Sequence, residues 1–265
     1  MTDVEGTAGP FLAKFVSSSS SMKPAAMPQS GWLGHAPFAF WLVEKLKPRS
    51  IVELGSHKGY SYFCFCQQVA ALRLPTKCYA IDTWQGDEHT GFYGEKIYKA
   101  VNRINEKRYS KFSQLIRAKF SDAVARFDDK SIDLLHIDGR HWYEDVKEDF
   151  LTWVPKLSDR AVVLFHDTQV RERDFGVYKF WAEIAQDFPH FEFVHHHGLG
   201  VLAVGPDICP DIKPLFDIAG DPDKVAAVRN EYERLAVVLG RPTLRKRIKL
   251  KMRSLSRALR GKSTS

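Results

Sequence analysis

Acids, imidazoles and glycines in this chain fall directly after short apolar runs, where a backbone turn can present them to a ligand. In IVELGSHKGYS, residues 51–61, Gly55 and Gly59 allow a sharp turn and a close approach. Ser56 and Ser61 lie in the same loop and can donate to a ligand. The glycine spacing is neither the G-x-G-x-x-G of a dinucleotide fold nor the lysine–serine end of a P-loop. Glu53 falls inside the strand end, where a carboxylate needs a ligand ammonium or a water network to offset desolvation. In AIDTW, residues 80–84, Asp82 can accept both hydroxyls of a ribose, with Thr83 beside it and Trp84 able to stack on a base. The plainer reading makes Asp82 a helix cap and Trp84 a core side chain. Ser121-Asp122, Asp138 with His141, and His166-Asp167 follow three further runs. An imidazole titrates near ~6.5, so His141 is the candidate general base for a hydroxyl proton, or else a polar residue at a helix start.

These positions depend on the elements between them. Apolar β-branched runs predict strands at 50–54, 77–81, 114–120, 132–137, 160–165, 191–195 and 199–204. Helical spacing covers 60–72, 122–127, 143–157, 176–188 and 225–239, and Phe38, Trp41, Leu42 and Leu46 mark a buried helix that Pro48 ends. Five strands separated by crossovers and a final hairpin predict an α/β doubly wound sheet with an antiparallel pair at one edge. Ligands sit at the carboxyl ends of such strands. Gln85–Arg108, with Gly86, Gly91 and Gly94, suits a lid over that end or a rigid connector. Arg171, Arg173 and Asp174 can hydrogen-bond a substrate or simply be solvated. His195, His196 and His197 sit in a hairpin turn that the expected topology keeps far from the cofactor end.

With 265 residues, 44% of them hydrophobic, the chain can build one sizeable core. The serine run Ser17–Ser21 with Pro24 and Pro28 predicts a flexible arm over 1–30, in which Phe11, Leu12, Phe15 and Val16 can dock. No apolar run approaches the ~20 residues of a membrane span, and no early basic patch with an apolar core marks a secretory signal. Cys64, Cys66, Cys78 and Cys209 have no disulfide or zinc spacing, so free thiols and a cytoplasmic location are expected.

The net charge of +7 is unevenly spread. Residues 241–265 hold ten Lys/Arg and no acid, leaving 29 basic against 32 acidic residues in the body. That argues against specific nucleic-acid binding. Helical spacing would put Leu244, Ile248, Met252, Leu255 and Leu259 on one stripe, as in a helix lying peripherally on an anionic membrane. A protein partner or a solvated tail fits the same pattern.

Residues 31–206 resemble class I S-adenosylmethionine-dependent methyltransferases, through the E-L-G-S-x-x-G-x-S loop and the place of Asp82. Four stretches are similar to the branch of macrocin-type sugar O-methyltransferases and cephalosporin-hydroxylase-like proteins: AIDTWQGDEHTGFYG, LLHIDGRHWYEDVKEDFLTWVPKL, VVLFHDT and HHHGLGVLAVG. The resemblance implies a seven-stranded, mostly parallel Rossmann-like sheet of order 3-2-1-4-5-7-6, followed by a helical extension over 207–240 and the basic tail. It implies S-adenosyl-L-methionine as cofactor, held by Glu53, Gly55, Ser56, Gly59, Ser61, Asp82, Thr83, Trp84, Ser121 and Asp122. In the implied order the ends carrying Asp138 and Asp167 meet, and two carboxylates repel unless a cation or proton lies between them. The resemblance makes Asp138 and Asp167 ligands of a divalent cation, Mg²⁺ favoured, with His166 expected beside them as a third, and Asp138 and His141 are the expected catalytic pair. His166 stands where some relatives have an acid, and imidazole suits a softer ion. Helix-capping aspartates and a satisfied histidine are the plainer alternative.

The leading expectation is an O-methyltransferase acting on a carbohydrate or glycosylated acceptor. A non-catalytic cofactor-fold protein that binds a partner or membrane through its tail is the alternative. The glycine spacing argues against an NAD-type oxidoreductase. Self-association and the identity of the small-molecule or glycan acceptor stay open.

Overall fold

The computed structural model describes residues 9–240. The basic segment 241–265, expected to meet a membrane surface, lies outside the described residues. Five strands are parallel: β1 (Ser50–Leu54), β2 (Lys77–Asp82), β5 (Ser113–Arg117), β6 (Ile132–Ile137) and β7 (Leu157–His166). β8 (His190–Phe193) and β9 (Leu199–Ala203) complete the sheet, β9 running antiparallel to both β7 and β8. The order is β5-β2-β1-β6-β7-β9-β8, while β3 (Gly86–Asp87) and β4 (Gly91–Phe92) form a separate hairpin. Counted within the main sheet alone, this is 3-2-1-4-5-7-6, as expected.

Every residue of β6, IDLLHI, is buried, because helices cover both faces of a parallel sheet. On one face lie α1 (Ala36–Leu46), α2 (Tyr60–Leu72) and α8 (Pro222–Gly240). On the other lie α4 (Phe120–Ala123), α5 (Tyr143–Trp153) and α6 (Val177–Ile184). α3 (Glu95–Arg108) follows the small hairpin, and α7 (Lys213–Asp217) precedes α8. The helix expected over 143–157 stops at Trp153, and a tight 3-10 turn at Val154–Lys156 follows, since Pro155 has no N–H for the helix ladder. The strand expected to reach 120 stops at Arg117, because Phe120 already opens α4.

The segment expected to be a flexible arm differs over its described part, residues 9–30, which folds against the body. Phe15 is buried, and its carbonyl accepts from Tyr232 Oη of α8 at 2.5 Å. Ser17 donates to Glu44 of α1 at 2.7 Å, and Gln68 of α2 donates to Ser19 at 2.8 Å. The serine run is a 3-10 turn, Ser18–Ser21, whose hydroxyls satisfy groups on neighbouring helices. Residues 207–240 share the same core: Tyr232 packs edge-on against Phe38 and Phe193.

Candidate active site

The loop after β1 is shaped by its neighbours. Gly55 has φ +87°, and a Cβ there would lie 2.0 Å from the Asp138 carbonyl oxygen. Glycine is therefore required by the β6 loop crossing beside it, a different reason from the ligand approach expected. Gly59, at φ +76°, caps α2 in the left-handed region. Glu53 is completely buried, and both its oxygens are engaged within the protein. Ser56 Oγ donates to Oε1 at 2.7 Å, and His136 Nδ1 lies 2.8 Å from Oε2. The partner expected from a ligand is thus supplied by strand β6.

Asp82 accepts from the backbone N–H of Ser56 (3.0 Å), His57 (2.8 Å) and Trp84 (2.6 Å). Burial pushes its carboxyl up despite these bonds. Trp84 is also fully buried, donating Nε1 to the His57 carbonyl at 3.0 Å and packing on Tyr98. It is a core side chain, with no free face for a base; Phe92, Tyr93 and Phe120 are aromatics that line the first cleft. Ser121 lines the cleft, while Asp122 points into solvent from α4.

Two clefts open above the sheet. The first, about 430 Å³, is lined among others by Gly55, Asp82, Thr83, Phe120, Asp138 and Asp149. The second, about 560 Å³, is lined among others by Ser56, Ser61, His141, His166, Asp167 and His197. Gly55, His57, Thr90 and Asp138 border both, so Asp138 stands at the junction.

There the four residues singled out from the sequence converge. His166 Nδ1 lies 3.1 Å from Asp138 Oδ1 and 3.3 Å from Asp167 Oδ2. His141 Nε2 lies 2.9 Å from the same Asp167 oxygen and 4.0 Å from Asp138 Oδ1, with its ring stacked on Phe175. β6 and β7 are adjacent and in register, which brings the residues beyond Ile137 and Phe165 side by side. Burial would raise Asp167, but the imidazoles of His166, His141 and His197 outweigh it and hold its carboxyl far below the usual range. Burial would lower His166, but the charges of Asp167 and Asp138 raise it well above an ordinary imidazole. His141 Nδ1 and His166 Nε2 are buried without a hydrogen-bond partner among the described residues.

Two contributions escaped the sequence reading. His197 Nδ1 lies 3.2 Å from Asp167 Oδ1. The hairpin turn was expected far away, yet β9 runs antiparallel to β7 and Leu199 pairs with His166, so the turn lands at the carboxyl end of β7. The second is Asp149 on α5, whose carboxyl faces the first cleft beside Gly139 and Phe120. Its signal was in the sequence: it stands three residues after Val146, next to Phe150, on the buried side of the helix.

Residues 52–168 match a family model described as a methyltransferase domain. The "Uncharacterized protein y4gI" of Sinorhizobium fredii is 55% identical over 198 residues, which is 75% of this chain and 22% of that protein. The chain thus spans about a fifth of the curated relative it matches. A Staphylococcus aureus structure designated a caffeoyl-CoA O-methyltransferase superposes with a TM-score of 0.52 at 15% identity, covering 68% of this chain and 86% of that one. TomG, an O-methyltransferase of Streptomyces achromogenes solved with SAM, gives 0.48 at 19% identity, covering 69% and 83%. At 15% identity the Staphylococcus aureus superposition shows a shared fold alone. Residues 52–168 are thus similar to a methyltransferase domain, and the observed strand order is that of a Rossmann-like, mostly parallel seven-stranded sheet.

Proposed function

We propose that the chain is an S-adenosylmethionine-dependent O-methyltransferase that acts on a hydroxyl of a carbohydrate or glycosylated acceptor, with help from a divalent cation. The observation that carries this reading is the cluster of Asp138, His141, His166 and Asp167 at the junction of the two clefts. The first cleft fits an adenosyl group: Asp82 borders it with a carboxylate, and Phe120 offers a ring. S-adenosylmethionine, when bound, supplies an electrophilic methyl on a sulfonium. Gly55, Ser56, Gly59 and Ser61 shape the turn between the clefts, and Thr83 and Ser121 add polar groups to the first.

An acceptor hydroxyl in the second cleft must lose its proton. His141 is the candidate base, and Asp167, 2.9 Å from its Nε2, orients the ring and stabilises the imidazolium that forms. Asp138, His166 and Asp167 would hold the cation, which lowers the pKa of a bound hydroxyl. His166 Nδ1 lies 3.1 and 3.3 Å from the two carboxylates, and the ligand atoms of His166, Asp167 and His197, like those of Asp138, His141 and Asp167, lie within 4.8 Å of one another. Gln29, Ser30, Thr90 and Arg173 line the second cleft and support a hydroxylated acceptor.

Calorimetry of the full chain with S-adenosylmethionine, S-adenosylhomocysteine and NAD tests the cofactor. Binding of NAD in place of S-adenosylmethionine and S-adenosylhomocysteine overturns the reading. Labelled methyl incorporation into a panel of hydroxylated sugars tests the acceptor class. The ten cations of residues 241–265 support a separate attachment to an anionic bilayer. Equal liposome cosedimentation with and without that segment would remove this part.

A further inference from the structure

Resting on the cation-assisted reading above, we infer that this cluster selects a first-row transition-metal dication such as Mn²⁺ or Zn²⁺ over Mg²⁺, with His166 as the selecting donor and His197 as the residue that positions Asp167. Mg²⁺ demands near-octahedral oxygen coordination and gives up water reluctantly, whereas imidazole suits first-row transition ions. The residues assigned to the cation offer two carboxylates and a nitrogen. His166 Nδ1 stands 3.1 Å from Asp138 Oδ1 and 3.3 Å from Asp167 Oδ2. An octahedral shell with bonds of ~2.1 Å places adjacent donors ~3.0 Å apart and opposite ones ~4.2 Å apart. His141, the base of that reading, stands beside this set, its Nε2 2.9 Å from Asp167 Oδ2 and 4.0 Å from Asp138 Oδ1. A carboxylate at position 166 would give three negative charges; the imidazole leaves two and replaces an oxygen by a nitrogen. Both changes weaken Mg²⁺ more than a transition ion.

His166 is held in place. It is buried, packed edge-on against His35 at 5.8 Å, and it lies close to Gly31. His197 works from the other side of Asp167, engaging Oδ1 at 3.2 Å so that Oδ2 turns to the other donors. Three successive left-handed residues, His196, His197 and Gly198 (φ +45°, +72° and +90°), aim it there. Gln169 donates to the His197 carbonyl at 2.8 Å, and Gly198 sits so close to Thr168 that a Cβ would lie 2.5 Å from its hydroxyl. The hairpin is therefore fastened to the loop that carries Asp167. Such outer partners commonly change metal affinity by ~10–100-fold.

The test is calorimetric titration of the chelator-treated full chain with MnCl₂, ZnCl₂ and MgCl₂ separately, with S-adenosylmethionine binding measured on the same preparation. The wild type should bind Mn²⁺ and Zn²⁺ at least ~10-fold more tightly than Mg²⁺. His166→Glu should narrow that ratio by about tenfold or more, and His166→Gln, which adds no charge, should also lower Mn²⁺ and Zn²⁺ affinity. His197→Ala should weaken all three ions by similar factors, as a positioning role requires. Equal Mg²⁺ and Mn²⁺ affinity in the wild type, or an unchanged ratio in His166→Glu, overturns the inference. Absence of any divalent binding overturns it together with the cation-assisted part of the reading, and S-adenosylmethionine binding in that sample would leave the methyltransferase reading standing.

Discussion

The paired strands β6 and β7 have one buried carboxylate at each end, Asp133 and Asp167, and the two ends are built differently. At the amino end, Asp133 is fully buried and closed by permanent donors. Arg49 reaches it three times, through its backbone N (2.7 Å), Nε (3.0 Å) and a terminal nitrogen (2.8 Å), and Ser158 Oγ adds a fourth bond at 2.7 Å. Burial would raise this carboxyl, but the Arg49 hydrogen bonds outweigh it and hold it below its ordinary value. At the carboxyl end, Asp167 has only imidazoles as side-chain partners among the described residues, at 2.9, 3.2 and 3.3 Å. Its own backbone is left-handed, at φ +62°. Two of those imidazoles keep a buried nitrogen without a partner among the described residues. A guanidinium cannot give up its proton in a protein, whereas imidazole can gain or lose one or take a metal. One end is built to hold the sheet together; the other keeps groups that can exchange protons and ligands.

The sharpest way to break this contrast is Asp167→Asn. Asparagine tolerates the left-handed backbone, so the fold should survive. The methyl-transfer rate should fall by roughly 10²–10⁴, the usual worth of positioned acid–base groups, while S-adenosylmethionine still binds. Rate assays beside calorimetry check it; a near-normal rate would put the chemistry elsewhere.

Arg49→Met should do the opposite. Asp133 would lose its cation, and stability should drop by roughly 2–3 kcal/mol, less than for a wholly buried pair because the Arg49 side chain is 66% exposed. Denaturant titration measures the loss, and the rate per folded molecule should be unchanged. Should both variants lose stability and rate alike, the two ends would not differ in kind.

Asp82 lies between these cases, closed by three backbone donors yet bordering a cleft. Asp82→Ala should weaken S-adenosylmethionine binding by about 1.5–3 kcal/mol, the range for hydrogen bonds to a charged group. Unchanged affinity in a folded variant would make Asp82 purely a loop brace.

The smallest effect concerns Asp149, which has no cation partner among the described residues. Burial, aided by the charges of Asp145 and Glu148, pushes its carboxyl from 3.8 to about 7. Between those values the folded chain keeps a proton that the unfolded chain has released, so stability falls as pH rises through that window. Asp149→Asn should flatten that slope and add about 1–2 kcal/mol at pH 8, a figure reduced for partial solvent access. Thermal melts from pH 4 to 8 would show it, and an unaltered slope would assign the dependence to other groups.

Much of the fold was legible because its signals are local. The runs at 50–54 and 132–137 have the same limits in sequence and structure, since β-branched clusters bounded by turn residues declare a strand within a few positions. The alternation of strand and crossover then restricts the sheet order, and the order puts Asp138 beside Asp167. Where the periodicity was interrupted, as at Pro155, the ends shifted by a few residues.

What the sequence by itself determined was therefore which residue types stand at the strand ends. Which of them face the clefts was decided only by the tertiary structure. Glu53 finds its partner in His136, 83 positions away, and Trp84 turns into the core between His57 and Tyr98. The serine-rich segment folds down because Glu44, Gln68 and Tyr232 meet its polar groups. His197 joins the site because the final hairpin reverses direction against β7. Secondary structure follows from patterns a few residues long, but the partner of a buried polar group is whatever the packed chain brings within about 3 Å. That distance carries no signature in any short stretch of sequence.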